Sequence, residues 1–342
     1  MQQKSSFLHR ICVLVVFFIS AFSYAQITTT GKVLDSISKK PLIGVSVFYD
    51  GTTIGVITDE KGNFSITTKK NLTAPLVISC IGFKNRIFQK PVNGSMGSIL
   101  MVEATVQLNE VVLKPDTWSR EKKLRIFRRQ FLGPTPATLE CKILNEDDIR
   151  LYYNSDKKIL YAYAQNPILI RNKFMGYNLQ YHLEDFEVRY RTSLNGFNMP
   201  HSIYYAGIAQ FMEMGKRVKR KYRKNRELTY DGSILHFMRS LANKNLQEEE
   251  FRIFKEKQEV DPYQYLLVTP LEKLTKVEQT IERLNILYDR WSNSYLVVEK
   301  NPFFIDEFGN HSPAPNMFFG GNMGMLRVSN LLPLDYKLNV TD

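Results

Sequence analysis

Residues Gly31-Lys32-Val33, Asp35, Pro41-Leu42-Ile43-Gly44-Val45-Ser46-Val47, Gly51-Thr52-Thr53-Ile54-Gly55, Thr58-Asp59, Gly62-Asn63-Phe64-Ser65-Ile66, Ser79 and Gly82-Phe83 repeat one rhythm: a few alternating apolar residues, then a turn. Alternation of period two sends successive side chains to opposite faces, and clusters of Gly, Pro and Asp at short spacing reverse the chain. The stretch therefore predicts antiparallel strands joined by tight turns, a small all-β sandwich spanning residues 27–114.

Upstream, Lys4 and Arg10 give a positive start, Ile11 to Phe22 is an apolar run shorter than a comfortable membrane span, and Ser23-Tyr24-Ala25 offers small residues for cleavage. Residues 1–25 are expected to be a signal peptide and the mature chain to begin at Gln26. Cys12 opens the apolar run instead of following it, so no lipid anchor is expected. Cys80 and Cys141 remain for an oxidising compartment, in apolar surroundings and in different expected domains. Two separately buried thiols are favoured there over a bridge, which stays the alternative.

Downstream, Lys114-Pro115 reads as a short linker, and residues 117–342 as a domain of mixed helices and strands. Trp118 to Leu132 has Leu124, Ile126, Phe127 and Phe131 at helical spacing before the stop Gly133-Pro134. Strands are expected around Ile149, Ile159, Leu179 to Tyr190 and Ile203 to Phe211. A helical region from Lys216 to Asn243 follows, broken at Asp231-Gly232-Ser233, and then short strands from Phe251 onward.

Net charge is +12, and between Lys216 and Arg226 eight of eleven residues are basic. In a cytosolic chain such a run would raise nucleic acid first; behind a signal peptide it does not, and no nucleic-acid partner is expected. Lys219, Arg220, Lys221 and Arg223, together with Arg226, Tyr230, His236 and Arg239, form the candidate anion-binding set. Arg223/Arg226 and His236/Arg239 are each three apart and share helix faces. If the Asp231-Gly232-Ser233 break folds one helix on the other, they make a cationic pocket able to fork onto phosphate or carboxylate. The competing reading has Arg226 and Arg239 held by acids such as Glu227 or Asp231, with His236 a satisfied core imidazole.

Catalytic chemistry is not evident. The mature chain holds only His182, His201, His236 and His311, with no His-Glu-x-x-His and no Gly-x-Ser-x-Gly. His182 and Asp185, three apart on an expected strand, should face opposite ways. Gly320-Gly321 lacks the Lys-Ser/Thr and the helix signal of a phosphate loop. No metal, no cofactor and no catalytic residue is predicted. Tyr152, Tyr153, Tyr161, Tyr163, Tyr177, Tyr181, Tyr190, Tyr204 and Tyr205 crowd the middle of the chain, either as core or as a face for sugars.

The turn residues Pro41-Leu42, Gly51-Thr52, Thr58-Asp59 with Gly62, and inward Phe64 resemble the carboxypeptidase-like regulatory domain. That resemblance implies a transthyretin-like sandwich and an envelope protein of the Bacteroidetes type; in this family the domain often stands at the front of outer-membrane receptors. It is the non-catalytic appendage of the carboxypeptidases, so it brings no peptidase site. Phe131-Leu132-Gly133, Cys141 to Asn145, Gly176-Tyr177, Asn225-Arg226, Tyr230, Gly232-Ser233, His236-Phe237, Arg239-Ser240-Leu241 and Leu332-Pro333-Leu334-Asp335-Tyr336 resemble the uncharacterised carboxy-terminal region of such proteins. The expectation is a non-enzymatic protein of the periplasm or the periplasmic face of the outer membrane. Its basic surface would dock an envelope protein, an acidic glycan or a lipid phosphate, with peripheral membrane contact. A glycan-binding module using the tyrosine-rich strands is the alternative, and a hydrolase with an unrecognised site the third reading.

Overall fold

The computed structural model describes residues 26–69, 72–90, 93–104, 116–193 and 198–338. The expected signal peptide and the Lys114-Pro115 linker lie outside them.

The amino-terminal region is the expected two-sheet sandwich. β1 (Ile27–Asp35) pairs antiparallel with β4 (Asn63–Thr68) and parallel with β7 (Gly94–Met101). The facing sheet runs β3 (Gly55–Ile57), β2 (Ser46–Tyr49), β5 (Leu76–Ser79), β6 (Arg86–Phe88). Along β4 the alternation is strict, with Phe64, Ile66 and Thr68 buried and the residues between them exposed. Phe64 and Ile66 meet Val33, Val47, Leu76, Ile78 and Ile99 between the sheets. Each such side chain contributes about 1.5–3 kcal/mol on burial. The turn threonines have a structural cause: buried Thr58 donates to Leu42 O at 2.6 Å and accepts from Val45 N, and buried Thr52 donates to Tyr49 O. Thr58 thereby pairs Leu42 O and Val45 N across the turn, and Thr52 Oγ1 also accepts from Ile54 N at 3.0 Å.

Beyond residue 116 helices and strands mix, around two cores. The first lies between α1 (Arg120–Leu132) and a six-stranded sheet of β8 (Cys141–Ile143), β9 (Ile149–Asn154), β10 (Ile159–Ala164), β11 (Ile168–Asn172), β12 (Tyr177–Thr192) and β13 (Asn198–Glu213). Ser119 caps α1, accepting from Lys122 N, and Gly133 ends it at φ 101°. On its inner face Phe127 meets the Phe186 ring at a tilt, and Phe131 meets the Tyr181 and Tyr205 rings edge-on. The long hairpin β12–β13 is the spine of this sheet, since β11 and β10 share the other edge of β12.

The second core surrounds α3 (Ile234–Ala242), which follows α2 (Arg220–Tyr230) after the Asp231-Gly232-Ser233 break. Phe237, Met238 and Leu241 of α3 enter a set of nine strands. Five form a sheet in the order β15 (Gln258–Val260), β14 (Phe251–Lys255), β18 (Arg283–Tyr288), β19 (Ser292–Val298), β22 (Met317–Gly320). Four form another, β16 (Leu266–Pro270), β17 (Leu274–Gln279), β20 (Phe303–Asp306), β21 (His311–Ser312). A five-residue helix, α4 (Gly321–Met325), does follow Gly320-Gly321, contrary to the sequence expectation. Gly232 sits at φ 72° with the Tyr288 ring where a Cβ would stand, so the break needs glycine for both conformation and space.

The sandwich is bound to the first core along a polar and apolar seam. Phe48, Val77 and Ile208 form a small apolar cluster, Gly51 N donates to Ala209 O at 2.8 Å, and Ala209 N donates to Asp50 Oδ1 at 3.0 Å. The segment Leu331–Leu338 then ties all three cores. Leu332 enters the first, Leu334 and Leu338 pack on the sandwich, and Asp335 accepts from the backbone and hydroxyl of Thr53.

Candidate functional site

The eight candidate residues separate into an exposed group and a buried or partly buried one. Lys219, Arg220, Lys221 and Arg223 face solvent at the start of α2, as do Lys216, Arg217 and Lys224. The helix stays down because Tyr222 lies on Gly176, a residue at φ 77° whose missing Cβ would strike that ring. Of the seven exposed cations from Lys216 to Lys224, only Lys221 has an acid partner among the described residues, Glu140 at 2.8 Å. Glu140 also leads to β8 and β11, where exposed Lys142 and Arg171 are direct cross-strand partners and exposed Lys173 donates its N–H to Glu140 O. Like charges directly opposite cost stability, a cost that an anion between them would offset.

The other four candidates do not join this surface. Arg226 is 5% exposed; its Nε donates to Met175 O at 2.8 Å, its two terminal nitrogens fork onto Glu213, and its guanidinium lies 3.7 Å over the Tyr177 ring. Arg239 donates to three carbonyls, Phe308 O, Tyr336 O and Leu334 O, each at 2.8 Å. His236 is buried, with Nδ1 accepting from Gly232 N and Nε2 3.0 Å from Glu249 Oε2. Tyr230 is buried against it, ring centroids 4.7 Å apart. The expected shared pocket is thus corrected: Arg223 and Arg226 point into different surroundings, and the guanidinium donors of Arg226 and Arg239 are already engaged inside the fold. The acid that holds Arg226 is Glu213, at the end of β13, and not Glu227 or Asp231; Arg239 is held by carbonyls, not by an acid.

His182 and Asp185 also need correction. A bulge at Glu184 inserts one residue into β12, so His182 pairs with Ile208 and Asp185 with Ala206, and both face outward. His182 is sandwiched in the seam, its Nε2 3.3 Å from Ser79 Oγ and its Nδ1 3.2 Å from Asn85 Nδ2, and burial pushes its imidazole down to about 4. Burial pushes the nearby Asp50 carboxyl up to about 6, against the N–H donors of Ala209 and Gly51 and with Glu184 adding to the rise. These shifts follow from desolvation, which disfavours whichever form is charged.

Cys80 and Cys141 are free thiols, each partly buried, and burial pushes Cys141 up to about 12, far from a reactive thiolate. Among the described residues no group of three or more His, Cys, Asp or Glu is placed to hold a metal ion, and no helix is long and apolar enough to cross a membrane.

The tyrosines divide by strand parity. Tyr153, Tyr177, Tyr181, Tyr190 and Tyr205 belong to or pack on the first core. Tyr152, Tyr161, Tyr163 and Tyr204 stand on the outward face of the same sheet. Sequence reasoning missed Glu213, which ends the strand before α2 and is 13 residues from Arg226, and Asp335 and the Lys142/Arg171/Lys173 edge, which lie far from α2 in the chain. The parity of adjacent Tyr152 and Tyr153 did carry the signal that separates the two tyrosine sets.

TonB-dependent receptor SusC of Bacteroides thetaiotaomicron is 31% identical over 113 residues, covering 32% of this chain and 11% of the receptor, so the chain spans about a tenth of that relative. The match is in keeping with an envelope location. Among solved structures, a type II cohesin-X-dockerin complex from Acetivibrio cellulolyticus covers 33% of this chain and 79% of its own at 20% identity and TM-score 0.20. A membrane-associated protein of unknown function from Bacteroides fragilis covers 82% and 92% at 10% identity and TM-score 0.17. Scores this low establish no shared arrangement. Residues 29–113, which span most of the amino-terminal sandwich, match the family described as CarboxypepD_reg-like domain, and this part of the chain is similar to that family.

Proposed function

We propose that this is a non-enzymatic interaction protein of the cell envelope, exported to the periplasm or the periplasmic face of the outer membrane, that docks an anionic partner through its basic surface. The observation that carries the reading is the run of seven solvent-facing cations from Lys216 to Lys224 with a single acid partner among the described residues. Lys142, Arg171 and Lys173 extend it onto the adjoining sheet edge. Ordinary solvated faces intersperse both signs; a one-sign field instead attracts phosphates or carboxylates and speeds their encounter. An envelope protein with an acidic face, an acidic glycan or a lipid phosphate supplies that chemistry, and the last would give peripheral membrane contact. The sandwich, joined to the first core by the seam, serves as a rigid mount.

The test is a pull-down from envelope extracts at low and high salt, with wild type beside a variant carrying K219Q, R220Q, K221Q and R223Q. Charge-led capture weakens as the Debye length shortens to about 8 Å near physiological salt. Capture that falls with salt and disappears in the variant supports the reading. Capture indifferent to both salt and the substitutions defeats it.

A further inference from the structure

We propose that the open half of the outward face of the β8–β13 sheet binds a neutral glycan. Cross-strand register aligns four side chains in one row: Tyr152 on β9 opposite Tyr161 on β10, Tyr161 opposite Glu187 on β12, and Glu187 opposite Tyr204 on β13. Tyr163 continues the face two residues along β10, 57% exposed, its ring 6.4 Å from that of Tyr161 and 18° from parallel. Asp185 lies on the same face because of the bulge at Glu184, and Arg189 donates to Glu187 at 2.5 Å. Arg150, directly opposite Tyr163 on β9, adds a second cation.

A pyranose ring has an apolar face of C–H groups and a rim of hydroxyls. Near-parallel aromatic rings fit the first, and carboxylates with phenolic hydroxyls as hydrogen-bond partners fit the second. The closed half of the same sheet face shows what the chain uses against protein. There Ile208 meets Phe48 and Val77 of the sandwich. The open half instead carries phenols and carboxylates, unlike an aliphatic docking patch. Three acids, Glu184, Asp185 and Glu187, oppose phosphates and acidic sugars, while Arg189 and Arg150 offset attraction for a cation, which leaves an uncharged hydroxyl-rich ligand. This site is separate from the basic surface, and either can fail alone.

The test is affinity electrophoresis of the full chain through gels containing a soluble α-glucan, a β-glucan or a mannan. Retardation by at least one polysaccharide is expected, unchanged in about 0.5 M salt, where the Debye length is only a few ångströms. Tyr161→Phe keeps the ring and should keep binding, whereas the double variant Y161A/Y204A should lose it by roughly tenfold or more, the scale of one stacked ring. Tyr163→Ala, the most exposed ring, repeats the comparison with least risk to the fold, and thermal unfolding of each variant verifies that the fold is kept. Absence of retardation by all three polysaccharides, or equal retardation of wild type and the alanine variants, overturns the proposal. Salt-sensitive binding of a lysine-rich peptide in place of glycan assigns the face to a cationic partner and overturns it as well.

Discussion

Lys224 and Arg226 are two positions apart on one helix, yet they occupy opposite electrostatic worlds. Lys224 faces water with the rest of the basic run, whereas Arg226 lies over Tyr177 with its whole fork spent on Met175 O and Glu213. On α3, Arg239 repeats the second pattern with carbonyls alone. Cations of the same segment thus do two jobs. The buried and partly buried ones hold distant pieces of chain together, because the alternative is a desolvated charge without partners. The exposed ones give up little when removed and remain free for long-range attraction.

The sharpest way to break this contrast is Arg239→Met, which keeps the volume and deletes every donor. Phe308, Leu334 and Tyr336 lose the donor of a charge-assisted bond, and each bond to a charged group is worth about 1.5–3 kcal/mol. Compensation by water at this partly buried site reduces the sum, so a loss of about 4 kcal/mol is expected in urea unfolding. Since two of the carbonyls belong to Leu331–Leu338, that segment should also become the first site of limited proteolysis. Survival of the variant at wild-type stability would mean that the segment is held by its apolar contacts alone.

Glu213→Gln tests the other buried cation with a smaller expected effect. Arg226 retains Met175 O and the Tyr177 face but loses its countercharge. Removing one partner of a fully buried pair costs about 3–5 kcal/mol; Glu213 is about a third exposed, so about 2 kcal/mol is expected from thermal unfolding. The conservative exchange keeps one acceptor for the fork, which separates the loss of charge from the loss of shape.

These two arginines also mark where the sequence stops being legible. Sandwich turns, the helix ending at Gly133 and the break at Gly232 are local events, written in adjacent residues and readable as such. The partners of Arg239 come from Phe308 and from Leu334 and Tyr336, many strands later, and no spacing rule connects them. Strand parity was readable for Tyr152 and Tyr153, which must face opposite ways. It failed for His182 and Asp185 because one inserted residue, Glu184, shifts the alternation, and a bulge leaves no mark in composition. The exposed basic run was visible at once, since solvent-facing charge needs no partner to be recognised.

The seam under the sandwich sharpens the comparison from the side of pH. The His182 imidazole stays neutral down to about 4 in the fold, so below its ordinary value the unfolded chain takes up the proton first, and stability is lost as pH falls from about 6.5 to 4. Asp50, raised to about 6, acts in reverse: the fold takes up the proton first, and stability is gained as pH falls from about 6 to 4. The two slopes oppose each other over nearly the same window. Asp50→Asn, which keeps an acceptor for Ala209 N, should therefore make acid destabilisation steeper, and His182→Gln should make it shallower. Each change should amount to about 2 kcal/mol across the window, read from urea midpoints at successive pH values. His311, also pushed down to about 4 by burial, adds the same acid loss to all variants and leaves their differences intact. Parallel pH profiles for wild type and both variants would show that neither group titrates differently in the fold.

The smallest expected effect lies on the outer face of α2, and its smallness is informative. Changing Lys219, Arg220, Lys221 and Arg223 to Gln removes one ion pair, Lys221 with Glu140, between side chains that are both well exposed. Exposed pairs are worth about 0–1 kcal/mol, and relief of repulsion among the neighbouring cations works in the opposite direction. The net change in unfolding free energy should therefore stay within about 0.5 kcal/mol of wild type, the usual range for surface substitutions. Added salt makes the prediction specific, because screening weakens repulsion and attraction alike at exposed sites. If repulsion dominates the basic face, moderate salt should stabilise wild type more than the variant, and the gap between them should narrow. A destabilisation of the size expected for Glu213→Gln would instead place these four side chains among the groups that hold the fold, and the contrast between the two faces of α2 would be lost.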